Sequence, residues 1–262
     1  MNHKDEFQYV YGPVHSWRLG MSLGIDPIST EKKVCNFDCI YCQLGNEGIL
    51  SNERKVFVDT DSIIREIDMF PAKDIDYYTF SGRGEPTLAK NLGEMISAVK
   101  KDSNRKVAVI TNSALIYDDN VRRELALSDL VIAKLDASDD SSLNQISRPT
   151  EGVEFNSIVE GLKEFRKMFK GKLALQVMFV EKNKFLAPEI AELAKKIDPD
   201  EVQINTPLRP SGEKPLDEND MEEIKSQFSG LNIISVFNAK KVEFSPICEQ
   251  NTVLRHGKYK EV

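Results

Sequence analysis

The chain has little cysteine. There are four in 262 residues: Cys35, Cys39, Cys42 and Cys248. Three of them fall in one short segment and the fourth is remote. That excludes a disulfide framework and points to a metal site in a reducing compartment. No apolar run reaches the ~18 residues of a membrane span. Residues 1–6 are polar and acidic, without the apolar core of a signal peptide, so the cytoplasm is the expected location. Low-complexity stretches and obvious linkers are lacking too. Positive charge is in deficit, with 35 Lys and Arg against 42 Asp and Glu, a net charge of -7. This weighs against a surface that grips nucleic acid throughout, while leaving room for a local basic patch. What remains is ordinary for a globular enzyme or binding protein: 40% apolar and 29% charged residues. The length suits a single α/β barrel-like domain over 1–262, with its core at about 18–237 and an extension at each end.

From about residue 56 the pattern alternates between helical and strand periodicity. Apolar residues at helical spacing predict helices over 61–70, 92–99, 118–127, 158–169, 190–197 and 217–228. Apolar, largely β-branched runs predict strands at 21–25, 75–80, 107–111, 130–135, 173–180, 202–204 and 233–237. Repeated βα units imply parallel strands joined by right-handed crossovers. About six units fall short of the eight of a closed barrel. The expected fold is therefore α/β, a partial open (β/α)6 barrel. In such folds chemistry gathers at the C-terminal ends of the strands.

Cys35, Cys39 and Cys42, in CxxxCxxC spacing, follow the first of these strands. Three thiolates on one loop can hold three corners of a cubane iron–sulfur cluster, leaving the fourth iron open for a cosubstrate. The competing reading is structural zinc. Its fourth ligand would have to be Cys248, His3, His15 or His256, none of them near in sequence. Cys248 reads better as a small buried hydrophobe.

Several strand ends agree with an open iron. Gly82, Arg83, Gly84, Glu85 and Pro86 form a turn in which glycines would let the backbone approach a ligand and Glu85 could meet an ammonium group. An ordinary strand-to-helix turn is the alternative. Thr111, Asn112 and Ser113 offer hydroxyl and amide groups for a ribose or carboxylate, or else cap a turn. Lys134 and Asp136 share a strand face, either for a ligand or for each other. Arg148 can meet a carboxylate or stay solvated. Gln176, Met178, Gln203 and Asn205 alternate on two strands and are candidates for a substrate pocket. Residues 209–212 are a candidate substrate loop. Lys32, Lys33, Arg54 and Lys55 flank the cysteines and form a candidate docking patch for a small acidic electron donor.

The cysteine loop and these turns together resemble the radical S-adenosylmethionine superfamily. Residues 11–26, with Cys42, Gln43, Leu44 and Gly45, resemble its wyosine synthetase-like iron–sulfur oxidoreductases. The resemblance implies a four-iron–four-sulfur cluster on Cys35, Cys39 and Cys42. It also implies reductive cleavage of S-adenosyl-L-methionine to a 5′-deoxyadenosyl radical that abstracts hydrogen from a substrate. By the same resemblance Tyr41 lies near the adenine, and the Gly84–Glu85–Pro86 turn meets the methionine amino group. Arg83 replaces the first of the paired glycines. A reducing partner such as flavodoxin or ferredoxin is implied, and the substrate is left open among metabolite, protein and RNA. No cysteine precedes Cys35 to hold the second cluster of a true wyosine synthetase, and Gln43, not tryptophan, follows Cys42. Two alternatives stand beside this reading: a transfer-RNA-modifying radical enzyme and a non-enzymatic iron–sulfur or zinc protein. No catalytic residue is assigned.

Overall fold

The computed structural model describes residues 7–45, 47–70, 74–102, 105–238, 246 and 248–256. Residues 1–6, with His3, lie outside them, as do Ser245 and Ile247 beside Cys248. An eight-stranded sheet curls into a half barrel. Its strands are β1 (Val10–Ser16), β2 (Gly20–Ile25), β5 (Tyr77–Phe80), β6 (Val107–Thr111), β7 (Leu130–Lys134), β8 (Lys172–Met178), β9 (Glu201–Asn205) and β10 (Ile233–Ser235), in that spatial order. β1 runs antiparallel to β2, and every later neighbour is parallel. A separate parallel pair, β3 (Lys33–Cys35) and β4 (Gly48–Leu50), frames the cysteine segment.

The two faces of the curled sheet differ. Val109, Val131, Leu175, Val177, Val202 and Ile204 join one large core with Ile63, Ile96, Leu125, Leu162 and Ile190 of the flanking helices. That is the convex, helix-covered side. Alternate residues Ala108, Leu130, Ile132 and Ala174 form a small second core closed by Leu19. This is the concave interior, and Leu19, at the turn between β1 and β2, plugs its floor. Further up the same face, the register places Lys134 beside Gln176 and Gln176 beside Gln203. Alternation thus makes the interior apolar below and polar above.

The helices are α1 (Thr60–Met69), α2 (Leu92–Val99), α3 (Asp119–Leu125), α4 (Asp140–Ile146), α5 (Phe155–Met168), α6 (Ala187–Ile197), α7 (Glu218–Gln227) and α8 (Glu249–His256). Several begin where the sequence places a carboxylate cap: the Asp59 side chain accepts the Ser62 N–H at 2.8 Å, and that of Asp217 the Asp220 N–H at 2.8 Å. The partial barrel expected from the sequence is present, with an additional antiparallel strand, β1, at one edge. The strand expected at 75–80 begins at Tyr77, and the last strand stops at Ser235. α4 was not expected; its capping box, Asp139 with Ser142, supplies the start that its few apolar residues do not signal. Among the described residues no helix is long and apolar enough to cross a membrane.

Candidate active site

The cysteine segment is fixed from both sides by backbone pairing. On one side the Val34 N–H donates to the Arg83 carbonyl at 3.1 Å, and the Glu85 N–H donates to the Val34 carbonyl at 3.1 Å. A Cβ on Gly84 would stand 1.8 Å from the Val34 oxygen, so only glycine fits here. The space beside Gly84 is therefore filled by the chain itself, and the close approach expected of a ligand is made by β3. On the other side the Ile40 N–H donates to the Ile146 carbonyl at 3.0 Å and the Thr150 N–H to the Asn36 carbonyl at 2.9 Å. The loop after β9 leans on the segment as well: a Cβ on Gly212 would meet the Ile40 oxygen at 2.6 Å, and Arg209 Nη1 donates to Gln43 Oε1 at 3.1 Å.

Three donors face the sulfurs. The Phe37 N–H is 3.4 Å from Cys35 Sγ, Asn112 Nδ2 3.5 Å from the same atom, and Lys33 Nζ 3.7 Å from Cys42 Sγ. Burial pushes the Cys35 thiol up to about 12, with the Glu85 carboxylate adding to it, and pushes the Cys39 thiol up to about 11. Among the described residues no three His, Cys, Asp or Glu side chains gather around a single point as one bound ion requires. A cubane spreads three thiolates over three separate irons.

Glu85 is 2% exposed and lies at the centre of a closed network. Its Oε1 accepts from the Thr87 N–H, the Thr87 hydroxyl and the Thr111 hydroxyl at 3.1, 2.7 and 2.6 Å; Oε2 accepts from the Asn112 N–H at 2.7 Å. Burial raises its pKa, and these donors pull the other way. Pro86 opens a buried 3-10 turn, Pro86–Leu88. Gly82, at φ 138°, lies against the Asp26 side chain, where a Cβ would come within 2.5 Å of Asp26 Cγ. Asn112 Nδ2 also donates to Asn36 Oδ1 at 2.6 Å, joining the end of β6 to the cysteine segment. Two polar atoms here are buried without a partner, Asn36 Nδ2 and Ser113 Oγ, and Ser113 is held at φ 70°.

Across the mouth, Lys134 Nζ donates to the Tyr41 hydroxyl at 2.7 Å and lies 4.4 Å from the centre of the Tyr41 ring. Tyr41 in turn donates to Asp136 Oδ2, and Asp136 Oδ1 accepts the Met178 N–H at 2.6 Å. Burial, then the Asp136 charge, raises the Tyr41 hydroxyl well above its ordinary pKa. Phe37, Asn112, Lys134, Asp136 and Ser147 line one small cavity, so the structure brings two of the predicted strand ends, those of β6 and β7, together beside the cysteine segment. Arg148 stands apart from them: half exposed at φ 47°, it approaches Asp38 at 3.9 Å. Of the expected basic docking patch, Lys32 and Lys55 are exposed and the other two cations turn inward. Lys33 is buried with Nζ on the Gly45 carbonyl at 2.9 Å, and Arg54 turns inward to the Thr87 carbonyl at 2.7 Å and to Glu124. Sequence reasoning missed Lys33, Asn36 and Asn183 as members of the site. The only available signal for the first two was their position beside or between the cysteines.

The family model described as Radical SAM superfamily matches residues 33–194. A UPF0026 protein of Synechocystis sp. is 44% identical over 216 residues, covering 80% of this chain and 78% of that protein. Among solved structures, a radical SAM methyltransferase from Sphaerobacter thermophilus superposes with a TM-score of 0.65 at 12% identity, over 82% of this chain and 65% of that one. An archaeal TYW1 superposes with a TM-score of 0.56 at 15% identity, over 80% and 72%. At these identities the two structures share the fold.

Proposed function

Because the chain belongs to the radical SAM superfamily, we propose that Cys35, Cys39 and Cys42 hold a four-iron–four-sulfur cluster and that the adjoining strand ends bind S-adenosyl-L-methionine. The observation that carries this reading is the convergence of the cysteine segment with Gly82–Pro86, Thr111–Ser113 and Lys134–Asp136, together with the partnerless buried atoms Asn36 Nδ2 and Ser113 Oγ. The donor set fits: three thiols lie on one short segment, and those of Cys35 and Cys42 have N–H donors in reach, as suits a cluster whose sulfurs accept hydrogen bonds. Bound together, the cluster and cosubstrate supply one-electron cleavage to a 5′-deoxyadenosyl radical.

The chain's own residues do the rest. Glu85 orders the Thr111–Asn112 backbone from beneath. The Lys134–Tyr41–Asp136 group fixes the aromatic ring at the mouth, where an adenine can lie. Arg148 stands at the rim for a carboxylate. The concave interior receives the substrate and excludes water from the reacting carbon. A reductant of the flavodoxin or ferredoxin class delivers the electron. Anaerobic reconstitution should yield about four irons per chain, and dithionite should drive formation of 5′-deoxyadenosine. A triple Cys→Ala variant should do neither. Stoichiometric zinc, with no cluster obtainable, would overturn the reading.

A further inference from the structure

A line of polar side chains in the concave interior ends without a partner. Lys172 Nζ donates to Glu201 Oε2 at 2.7 Å, and Gln203 Nε2 donates to Glu201 Oε1 at 2.8 Å. The lysine neutralises the carboxylate, and the carboxylate commits the amide nitrogen of Gln203. The amide oxygen of Gln203 is thereby fixed as an acceptor, buried and partnerless. Gln176 stands beside it. The two residues are direct register partners on β8 and β9, so about 4.8 Å separates their backbones and both side chains share the concave face. Gln176 Nε2 is likewise buried without a partner. The two amides do not bond each other, and Lys134, the register partner of Gln176 on β7, is turned up to Tyr41.

Below this pair the interior is apolar, with Ile132 and Ala174 packed on Leu19. Above it, two residues further along β8, Met178 packs in the same small core as Ile40, Tyr41 and Cys39. Two residues of strand rise about 6.6 Å, which sets the depth of the amide pair beneath the cysteine segment. An amide donor and an amide acceptor left buried and unmatched cost free energy, and a ligand that matches both recovers it. Charged groups do not suit the pair. A carboxylate would set an oxygen against Gln203 Oε1, and an ammonium would set N–H groups against Gln176 Nε2. A neutral group with a C=O beside an N–H satisfies both atoms.

We infer that Gln176 and Gln203 read an amide-type group of the substrate, a neutral C=O with an adjacent N–H, as found in a primary carboxamide or on the lactam edge of a heterocycle. Gln176 donates to its oxygen, and Gln203 accepts from its nitrogen. Calling that group part of a substrate rests on the radical-enzyme reading; the amide site itself does not.

The test is probe binding by ligand-observed NMR, with thermal melting alongside, on the full chain in both cluster-loaded and cluster-free form. The probes are propanamide, 2-pyridone and propanoate, the last an isostere of propanamide without the N–H. At least one amide probe should bind saturably at one site per chain, and propanoate about tenfold or more weakly. Gln176→Met keeps the side-chain length and loses the donor, so it should weaken the amide probe by about tenfold or more. Without any probe this variant should melt no lower than wild type, because no internal hydrogen bond is lost. Preference for propanamide identifies a carboxamide group, and preference for 2-pyridone a lactam; either supports the site. Saturable binding of neither amide, as a fixed water between the two glutamines would give, overturns it. So does equal affinity for propanoate, or unchanged amide binding in Gln176→Met. A marked fall in the melting temperature of probe-free Gln176→Met would give the amide a purely structural bond, with the same consequence. Competition between the amide probe and S-adenosyl-L-methionine in the cluster-loaded protein would assign the pair to the cosubstrate and overturn the inference as well. The cluster-free arm keeps the result independent of whether a cluster forms.

Discussion

One added carbon at Gly84 separates two accounts of its turn. If the glycine serves only ligand approach, Gly84→Ala weakens cosubstrate binding and leaves the protein otherwise intact. The 1.8 Å approach to the Val34 carbonyl predicts more: β3 must move, and Cys35 moves with it. Overpacking of this kind costs roughly 1–3 kcal/mol, so a lowered melting temperature and reduced iron content after reconstitution are expected together. Normal iron and stability with weak cosubstrate binding alone would restore the simpler account. Lys33 is the second decisive residue. It was expected to steer a donor protein, but its ammonium is turned onto Cys42 and Asp38, with Nζ 3.7 and 3.5 Å from their acceptor atoms. A positive charge there would stabilise the more negative, reduced state of the proposed cluster. Lys33→Met should therefore shift the reduction potential downward, measured by anaerobic titration. An unchanged potential combined with slowed reduction by flavodoxin would return Lys33 to a docking role.

Strand ends are held by side chains remote in sequence, and Asn183 shows it most clearly. Fully buried after β8, it donates from Nδ2 to the Asp136 and Met178 carbonyls, both at 3.0 Å, and accepts the Val180 N–H at 2.8 Å. It thereby joins the C-terminal ends of β7 and β8, where Lys134 and Asp136 reach the mouth. Asn183→Ala leaves three buried backbone groups unmatched, at about 1–3 kcal/mol each. The expected outcome is a large fall in melting temperature, and Asn183→Asp should not restore it, because its carboxylate faces the Asp136 and Met178 carbonyls with no donor; wild-type melting in Asn183→Ala would refute the clasp. Nothing in the sequence marks Asn183, because its partners are carbonyls of distant residues. The same limit explains what else was illegible. β5 to β9 and the long helices announce themselves, since strands buried on both faces read as apolar runs and amphipathic helices repeat every three to four residues. β1 is interrupted by Gly12 and Pro13 and bulges between Tyr11 and Val14. β3 and β4, three residues each, are too short to show a period. The cysteines and strand-end motifs were readable as local words. Their neighbours Asn36 and Lys33 take their roles only from contacts that the fold creates.

Across the whole molecule the two ends of the described chain meet behind the Gly82 turn. Arg255 of α8 donates through Nε to Asp26 Oδ2 at 3.0 Å and through Nη2 to Ser29 Oγ at 2.8 Å, and it also reaches the Gln8 carbonyl. Asp26, fully buried at the end of β2, accepts the Ile28 and Ser29 N–H groups on its other oxygen and backs Gly82. Burial raises the Asp26 pKa, and Arg255, with the backbone donors, restrains the rise. An unfolded aspartate titrates near ~3.9. The folded chain therefore holds the Asp26 proton over a range in which the unfolded chain has released it. This contribution to stability is complete below the unfolded value and is lost as pH rises through the folded one. Arg255→Leu removes the restraining cation, so the folded pKa climbs further and the loss extends to higher pH. At neutral pH, breaking a buried pair from one side costs about 3–5 kcal/mol. The melting-temperature gap between wild type and Arg255→Leu should therefore widen as pH is raised from mildly acidic to mildly alkaline. Melts of the cluster-free protein keep acid lability of the metal site out of the comparison. Adding Asp26→Asn to Arg255→Leu should flatten that dependence, since no titrating group remains at the junction. A gap independent of pH in the single variant would mean that α8 is held by packing alone, and that the charge pair behind the Gly82 turn contributes nothing to it.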